Sequence, residues 1–90
     1  MKYKDLDFKP HPNPFAGFDT QVLVFFSNGY GASIVTGANA YGGLELAVLK
    51  GVPGDYDLTY DTEITNDVLG HLTKEKVEKL LERISKLWVL

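Results

Sequence analysis

The chain has no cysteine and no long hydrophobic run. Without cysteine, a disulfide framework, a thiolate zinc site and a thiol nucleophile are all excluded. No stretch reaches the length of a signal-peptide core or a membrane span, so we expect a cytoplasmic protein. An excess of basic residues is also lacking, because 9 Lys and Arg face 12 Asp and Glu for a net charge of -3. This balance disfavours nucleic acid as a partner, because binding to its phosphates normally needs a basic face.

What the chain does have is the composition of one small globular domain. Its 90 residues are 44% hydrophobic and 23% charged, which is enough apolar surface for a single core. We divide it into residues 1–20, an N-terminal edge strand and proline-rich arm, and residues 21–90, a β-meander followed by a helix. Prolines at every second position of residues 10–14 fix φ and remove backbone donors, so the arm is extended. Phe15 and Phe18 either pin this arm to the body or anchor a partner.

The strongest local pattern is Asn28-Gly29 between two β-rich runs. It predicts a hairpin with a two-residue turn in which Ser27 opposes Tyr30. In that register both faces of the hairpin are apolar, with Leu23, Phe25, Ala32 and Ile34 on one and Val22, Val24, Phe26, Ser33 and Val35 on the other. One helix covers only one face. The second face then needs sheet curling, the arm or another molecule, and a homodimer joined through it is the simplest solution.

The rest of the chain predicts two more strands and a helix. Residues 44–49 alternate, Pro53-Gly54 indicates a type II turn, and residues 56–61 alternate as a strand with one face in solvent. Residues 66–70 predict one short helical turn. Thr73 is the expected N-cap of a C-terminal helix whose apolar stripe is Val77, Leu80, Leu81, Ile84 and Trp88. The fold class is therefore α+β, an antiparallel four- or five-stranded meander sheet with one amphipathic helix packed on one face.

Carboxylates form one candidate binding surface. Between Lys50 and Lys74 there is no Lys or Arg, whereas five acidic residues occur there: Asp55, Asp57, Asp61, Glu63 and Asp67. A calcium loop is disfavoured because Tyr60 and Asn66 stand where such a loop needs glycine and glutamate. Three interpretations remain open. Asp57 and Asp61 imitate nucleic-acid phosphates, dock a basic protein partner, or form a solvated strand face.

Two tyrosines beside glycines form the other candidate surface. Tyr30 and Tyr41, together with Asn28, could contact a small ligand, although hairpin turn chemistry alone accounts for the first cluster. Neither His11 nor His71 has a partner at metal-ligand spacing, and no phosphate-binding or nucleophile motif is present. We therefore predict no catalytic residue, no metal and no cofactor.

Three segments carry a resemblance to a protein family: FSNGYGASI (26–34), ELAVL (45–49) and YDTEITNDVLG (60–70). In these segments the chain resembles small proteins of unknown function from tailed bacteriophages. The resemblance implies a viral protein made in the bacterial host cytoplasm, with no site residues to transfer. It suggests a non-enzymatic binding protein that modulates or inhibits a host factor, including a defence factor, by binding a protein or by sequestering a small signalling ligand. Two alternatives stay open, a minor structural or assembly component of the phage particle and a small nucleotide-processing enzyme.

Overall fold

The computed structural model describes residues 2–13, 15, 17–37, 43–60, 62, 64 and 69–88. Within them the chain forms a 3-10 turn (Tyr3–Asp5), six strands and one helix. The strands are β1 (Lys9–Pro10), β2 (Thr20–Phe25), β3 (Tyr30–Thr36), β4 (Leu44–Val52), β5 (Asp55–Leu58) and β6 (Leu69–Leu72), and the helix is α1 (Lys74–Ser85). All paired strands are antiparallel, in the order β1-β2-β3-β4-β5, with β6 also beside β4. The α+β prediction is confirmed.

Helix α1 closes the core against one face of the sheet. Val77, Leu81 and Ile84 are almost fully buried. They pack against alternating residues of the three central strands: Val22, Val24, Ala32, Ile34, Leu46 and Val48. The predicted N-cap is confirmed, because the Thr73 hydroxyl accepts the Lys76 N–H at 3.2 Å. The predicted apolar stripe is too long, because the helix ends at Ser85 and Trp88 is 92% exposed.

The predicted register of the first hairpin is wrong by one residue. Phe25 pairs with Gly31, and the Phe26 N–H donates to the Tyr30 carbonyl at 2.8 Å, so the loop has three residues rather than two. Gly29 alone carries the positive φ, at 89°, as in a three-residue hairpin loop. A one-residue slip reverses the face of one strand relative to the other. The shift therefore gives a single apolar core face, on which Val22 opposes Ile34 and Val24 opposes Ala32.

The N-terminal segment packs on the core, and the edge strand that it forms is confined to Lys9 and Pro10. After the 3-10 turn, only Lys9 and Pro10 pair with β2, where a residue without an N–H is tolerated at the sheet edge. Tyr3, Leu6 and Phe8 contact the core. The Tyr3 backbone N–H also donates to the Glu78 carboxylate at 2.6 Å, which ties this segment to α1.

Strand β6 lies where part of a helical turn was expected. Residues 66–68 lie outside the described residues, but Leu69 and Gly70 begin β6, so the helical prediction is wrong for those two. Gly70 and His71 together oppose Glu45, which makes a β-bulge. His71 has φ 55°, in the left-handed region.

The face of the sheet away from α1, called here the open face, is partly covered by the chain itself. Leu49 on this face is only 1% exposed. The Phe25 ring packs against Tyr56, with centroids 5.3 Å apart. It lies against Gly31, where a Cβ would collide with the Val24 carbonyl. The arm covers part of this face with His11 and Phe18, whose rings are 5.7 Å apart. Phe15 is 94% exposed and therefore does not hold the arm against the sheet.

Candidate interaction surface

Exposed apolar side chains are concentrated at β5. Of the six large hydrophobic residues exposed in the described part of the chain, four lie on β5 or beside its ends: Val52 (56%), Tyr56 (39%), Leu58 (51%) and Tyr60 (44%). With Asp55 and Asp57 they form what we call the β5 surface. Apolar groups gathered around one exposed strand are typical of an interaction site rather than of scattered surface residues.

The local sequence places β5 at the edge of the sheet. Pro53 and Gly54 turn the chain, with Gly54 at φ 84° as a type II turn requires. The strand then pairs only with the last residues of β4, from Leu49 opposite Leu58 to Val52 opposite Asp55. No described strand pairs with its outer side. All four residues of β5 are exposed, so the prediction that only one face is in solvent is wrong: among the residues that the structure describes, none buries either face of this strand.

The backbone of β5 presents free groups along this outer edge. The Thr59 N–H donates to the Val48 carbonyl at 3.0 Å. In an antiparallel pair, residues alternate between directing their N–H and C=O groups toward the partner strand and away from it. Asp55 and Asp57 therefore bond to β4, whereas the N–H and C=O groups of Tyr56 and Leu58 point outward.

The side chains of β5 divide between the two faces of the sheet. Tyr56 and Leu58 share the open face with Leu49, and Asp55 and Asp57 share the α1 side with Val52 and Lys50. Lys50 is the cross-strand neighbour of Asp57. Nevertheless, the ion pairs within 4.0 Å among the described residues are Asp7 with Lys9 and Glu82 with Lys86. Both β5 carboxylates are therefore exposed and outside any such ion pair.

Of the predicted site residues, Tyr30 and Asp57 come together on one face and Asn28 does not join them. Tyr30, Lys50 and Asp57 form one row across three strands, with Tyr30 half-buried against the core. Tyr41 and Asp61 lie outside the described residues.

Asn28 is 5% exposed and bonded within the chain. Its Nδ2 donates to the carbonyls of Ile84 at 2.8 Å and Leu87 at 3.1 Å, and its Oδ1 accepts the Tyr30 N–H at 3.0 Å. This side chain joins the hairpin loop to the end of α1. It presents no free donor to a ligand, because both hydrogens of its amide group are used.

Other concave regions offer less organised chemistry. A groove of about 1040 Å³ lies beside Asp19, His71 and Lys74. A smaller groove of about 260 Å³ on the open face lies between Phe18 and Leu58. In the described ranges, no group of three His, Cys, Asp or Glu residues is placed to hold a metal ion. None of the helical residues described there forms a span that is long and apolar enough to cross a bilayer.

Sequence reasoning named Asp57 but missed the apolar half of this surface. The signal was present, because Tyr56, Leu58 and Tyr60 alternate with polar residues directly after a Pro-Gly turn. The alternation predicts only that one face of this strand is in solvent. The sequence did not reveal that β5 extends past the region that α1 and the arm cover.

Comparisons with protein-family models, with curated proteins and with solved structures find no significant match for this chain. The resemblance to bacteriophage proteins therefore stays a prediction.

Proposed function

We propose that this protein is a binding module that recognises another protein through the β5 surface. The observation that carries the proposal is the gathering of exposed apolar side chains on an edge strand with a free backbone. Tyrosine, present here at positions 56 and 60, is among the residues that contribute most to protein interfaces. Taken with the bacteriophage resemblance, the partner that we expect is a protein of the bacterial host, for example a defence factor.

The charge on β5 supports binding to a specific partner rather than nonspecific aggregation. Edge strands are a risk for aggregation, and proteins protect them with charged side chains. Asp55 and Asp57 do so here on one face, while Tyr56 and Leu58 remain available on the other. Apolar contact would supply affinity, at about 25 cal/mol per Å² of apolar area buried before the costs of association, and the carboxylates would select among partners.

Site-specific photo-crosslinking in the cell that makes the protein tests this proposal. A benzophenone amino acid replaces Leu58 in one variant and Lys79, an exposed residue of α1, in a matched control. We expect a discrete crosslinked protein from position 58 and none from position 79. The same product should be lost when Tyr56→Ser is added, because that change removes an exposed aromatic contact without altering charge. Crosslinking of equal yield from both positions, or none from position 58, would contradict the proposal.

A further inference from the structure

We infer that the occupant of the β5 surface is an extended segment of the partner in which basic and apolar residues alternate, and that it adds to the sheet as a further strand beside β5. This inference rests on the proposed function and specifies the chemistry of the partner. Three properties of β5 lead to it: its backbone, its two faces and its charge.

The backbone of β5 can accept a strand without rearrangement. The N–H and C=O groups of Tyr56 and Leu58 already point away from β4, as the bond from Thr59 to Val48 requires. An added strand would therefore find two donors and two acceptors in ladder geometry. Strand addition to an exposed sheet edge is a recurrent mode of peptide recognition, in which main-chain bonds supply affinity and alternate side chains supply specificity.

The two faces of β5 define the side chains of the added strand. Residues directly opposite each other in paired strands point to the same face. Partner residues opposite Tyr56 and Leu58 would lie on the open face, where apolar groups extend the contact between Phe25 and Tyr56. Partner residues opposite Asp55 and Asp57 would lie on the α1 side, where lysine or arginine would pair with exposed carboxylates.

Charge favours such a segment over a second copy of this chain. If two β5 strands paired about a two-fold axis with Tyr56 opposite its own copy, each Asp55 would oppose the Asp57 of the other copy. If Asp57 were at the axis, it would oppose itself. Like charges directly opposite across a pair of strands are destabilising, so self-pairing is disfavoured in both registers.

Peptide binding to the full chain tests the inference. The probe is a capped heptapeptide in which lysine alternates with valine and tyrosine, and its counterpart has glutamate in place of lysine. Calorimetry should show binding of the lysine peptide and at least about tenfold weaker binding of the glutamate peptide, since two cross-strand charge pairs change sign. The double variant Asp55→Lys with Asp57→Lys should reverse this preference. Asp5→Lys with Asp19→Lys makes the same change in net charge on exposed residues near the opposite edge, and should retain the original preference.

Hydrogen exchange locates the bound peptide. The Tyr56 and Leu58 amides should gain protection when the lysine peptide binds, whereas the Asp57 amide, which already faces β4, should change little. Leu58→Pro removes an outward N–H that no β4 bond uses and should abolish binding, whereas Leu58→Ala, which also shortens the side chain, should only weaken it. Far-ultraviolet circular dichroism verifies that each variant is folded.

Several results would overturn the inference. They are equal binding of the two peptides, loss of preference in the Asp5 and Asp19 variant, or binding without protection at Tyr56 and Leu58. Protection of these amides that rises with protein concentration alone would identify a second copy as the occupant. If position 58 crosslinks to a partner in cells while the lysine peptide fails to bind, the proposed function stands and strand addition by a basic segment is refuted.

Discussion

Replacing Asn28 tests how much the connection between the first hairpin loop and the end of α1 contributes to stability. Its side chain makes three hydrogen bonds, two to carbonyls at the end of α1 and one to the Tyr30 N–H. Each contributes about 0.5–1.5 kcal/mol net. We therefore expect Asn28→Ala to lower the free energy of unfolding by about 2–4 kcal/mol. For a domain of this size that corresponds to a fall in Tm of roughly 10–20 °C.

The Asn28→Asp variant sharpens this prediction. Aspartate keeps an oxygen that can accept the Tyr30 N–H but replaces the two N–H donors, so a carboxylate faces the carbonyl oxygens of Ile84 and Leu87. A buried charge without a partner is more costly than a missing hydrogen bond. Asn28→Asp should therefore be less stable than Asn28→Ala at neutral pH, and the difference should shrink as the carboxylate is protonated.

Equilibrium urea denaturation followed by circular dichroism measures both effects. Asn13→Ala is the matched control, because Asn13 is exposed and its Oδ1 accepts only a local bond from the Phe15 N–H at 3.0 Å. We expect this control to change stability by less than about 0.5 kcal/mol. A loss below about 1 kcal/mol for Asn28→Ala, or an aspartate variant more stable than the alanine variant, would refute the reasoning.

Three further predictions concern the core, the open face and the N-terminal segment. Ile84→Ala should cost about 2–5 kcal/mol in a denaturation experiment, because Ile84 is fully buried, whereas Trp88→Ala should stay within about 0.5 kcal/mol. Gly31→Ala should greatly destabilise the protein or stop it from folding, because the new Cβ collides with the Val24 carbonyl; a soluble variant with unchanged Tm would contradict this close approach of Gly31 to the β2 backbone. Burial raises the pKa of the Tyr3 phenol above its ordinary 10.0. The contribution of the protonated phenol to the free energy of unfolding is therefore intact below pH 10 and is lost as pH rises through the pKa of the folded state. A 295 nm titration of wild type minus Tyr3→Phe should show that raised midpoint, and a midpoint at or below 10.0 would show that Tyr3 is not desolvated.

The parts of the fold that the sequence predicts well are those governed by local periodicity. The apolar alternation of residues 44–48 in β4 and the three-and-four spacing of Val77, Leu81 and Ile84 match the face that α1 covers. Strand β4 is also buried on the open face, at Ala47 and Leu49, which alternation alone does not predict. The cap at Thr73 and the turn at Pro53-Gly54 are also local, since they depend on hydroxyl chemistry and on the freedom of glycine at positive φ.

The parts that the sequence does not reveal depend on distant contacts. Asn28 does not lie in a two-residue turn, because its amide bonds to the carbonyls of Ile84 in α1 and Leu87 just after it, which are 56 and 59 residues away. Strand β6 contains a glycine and a left-handed histidine. Its four residues therefore do not show the alternation of apolar and polar side chains that predicts a strand.

The candidate site follows the same division. Asp57 is recognisable from charge alone, whereas the exposure of Tyr56 and Leu58 depends on how far the covering layers extend. That Tyr41 and Asp61 belong to the site stays a prediction.

The position of α1 in the chain has a consequence for biosynthesis. Residues 74–85 leave the ribosome after every strand has been made, so the face formed by Ile34, Leu46 and Val48 exists before its cover does. Nascent chains fold from the N-terminus as translation proceeds at roughly 5–20 residues per second. During the seconds before the helix emerges, the growing polypeptide exposes this apolar face, and a chaperone can bind it there.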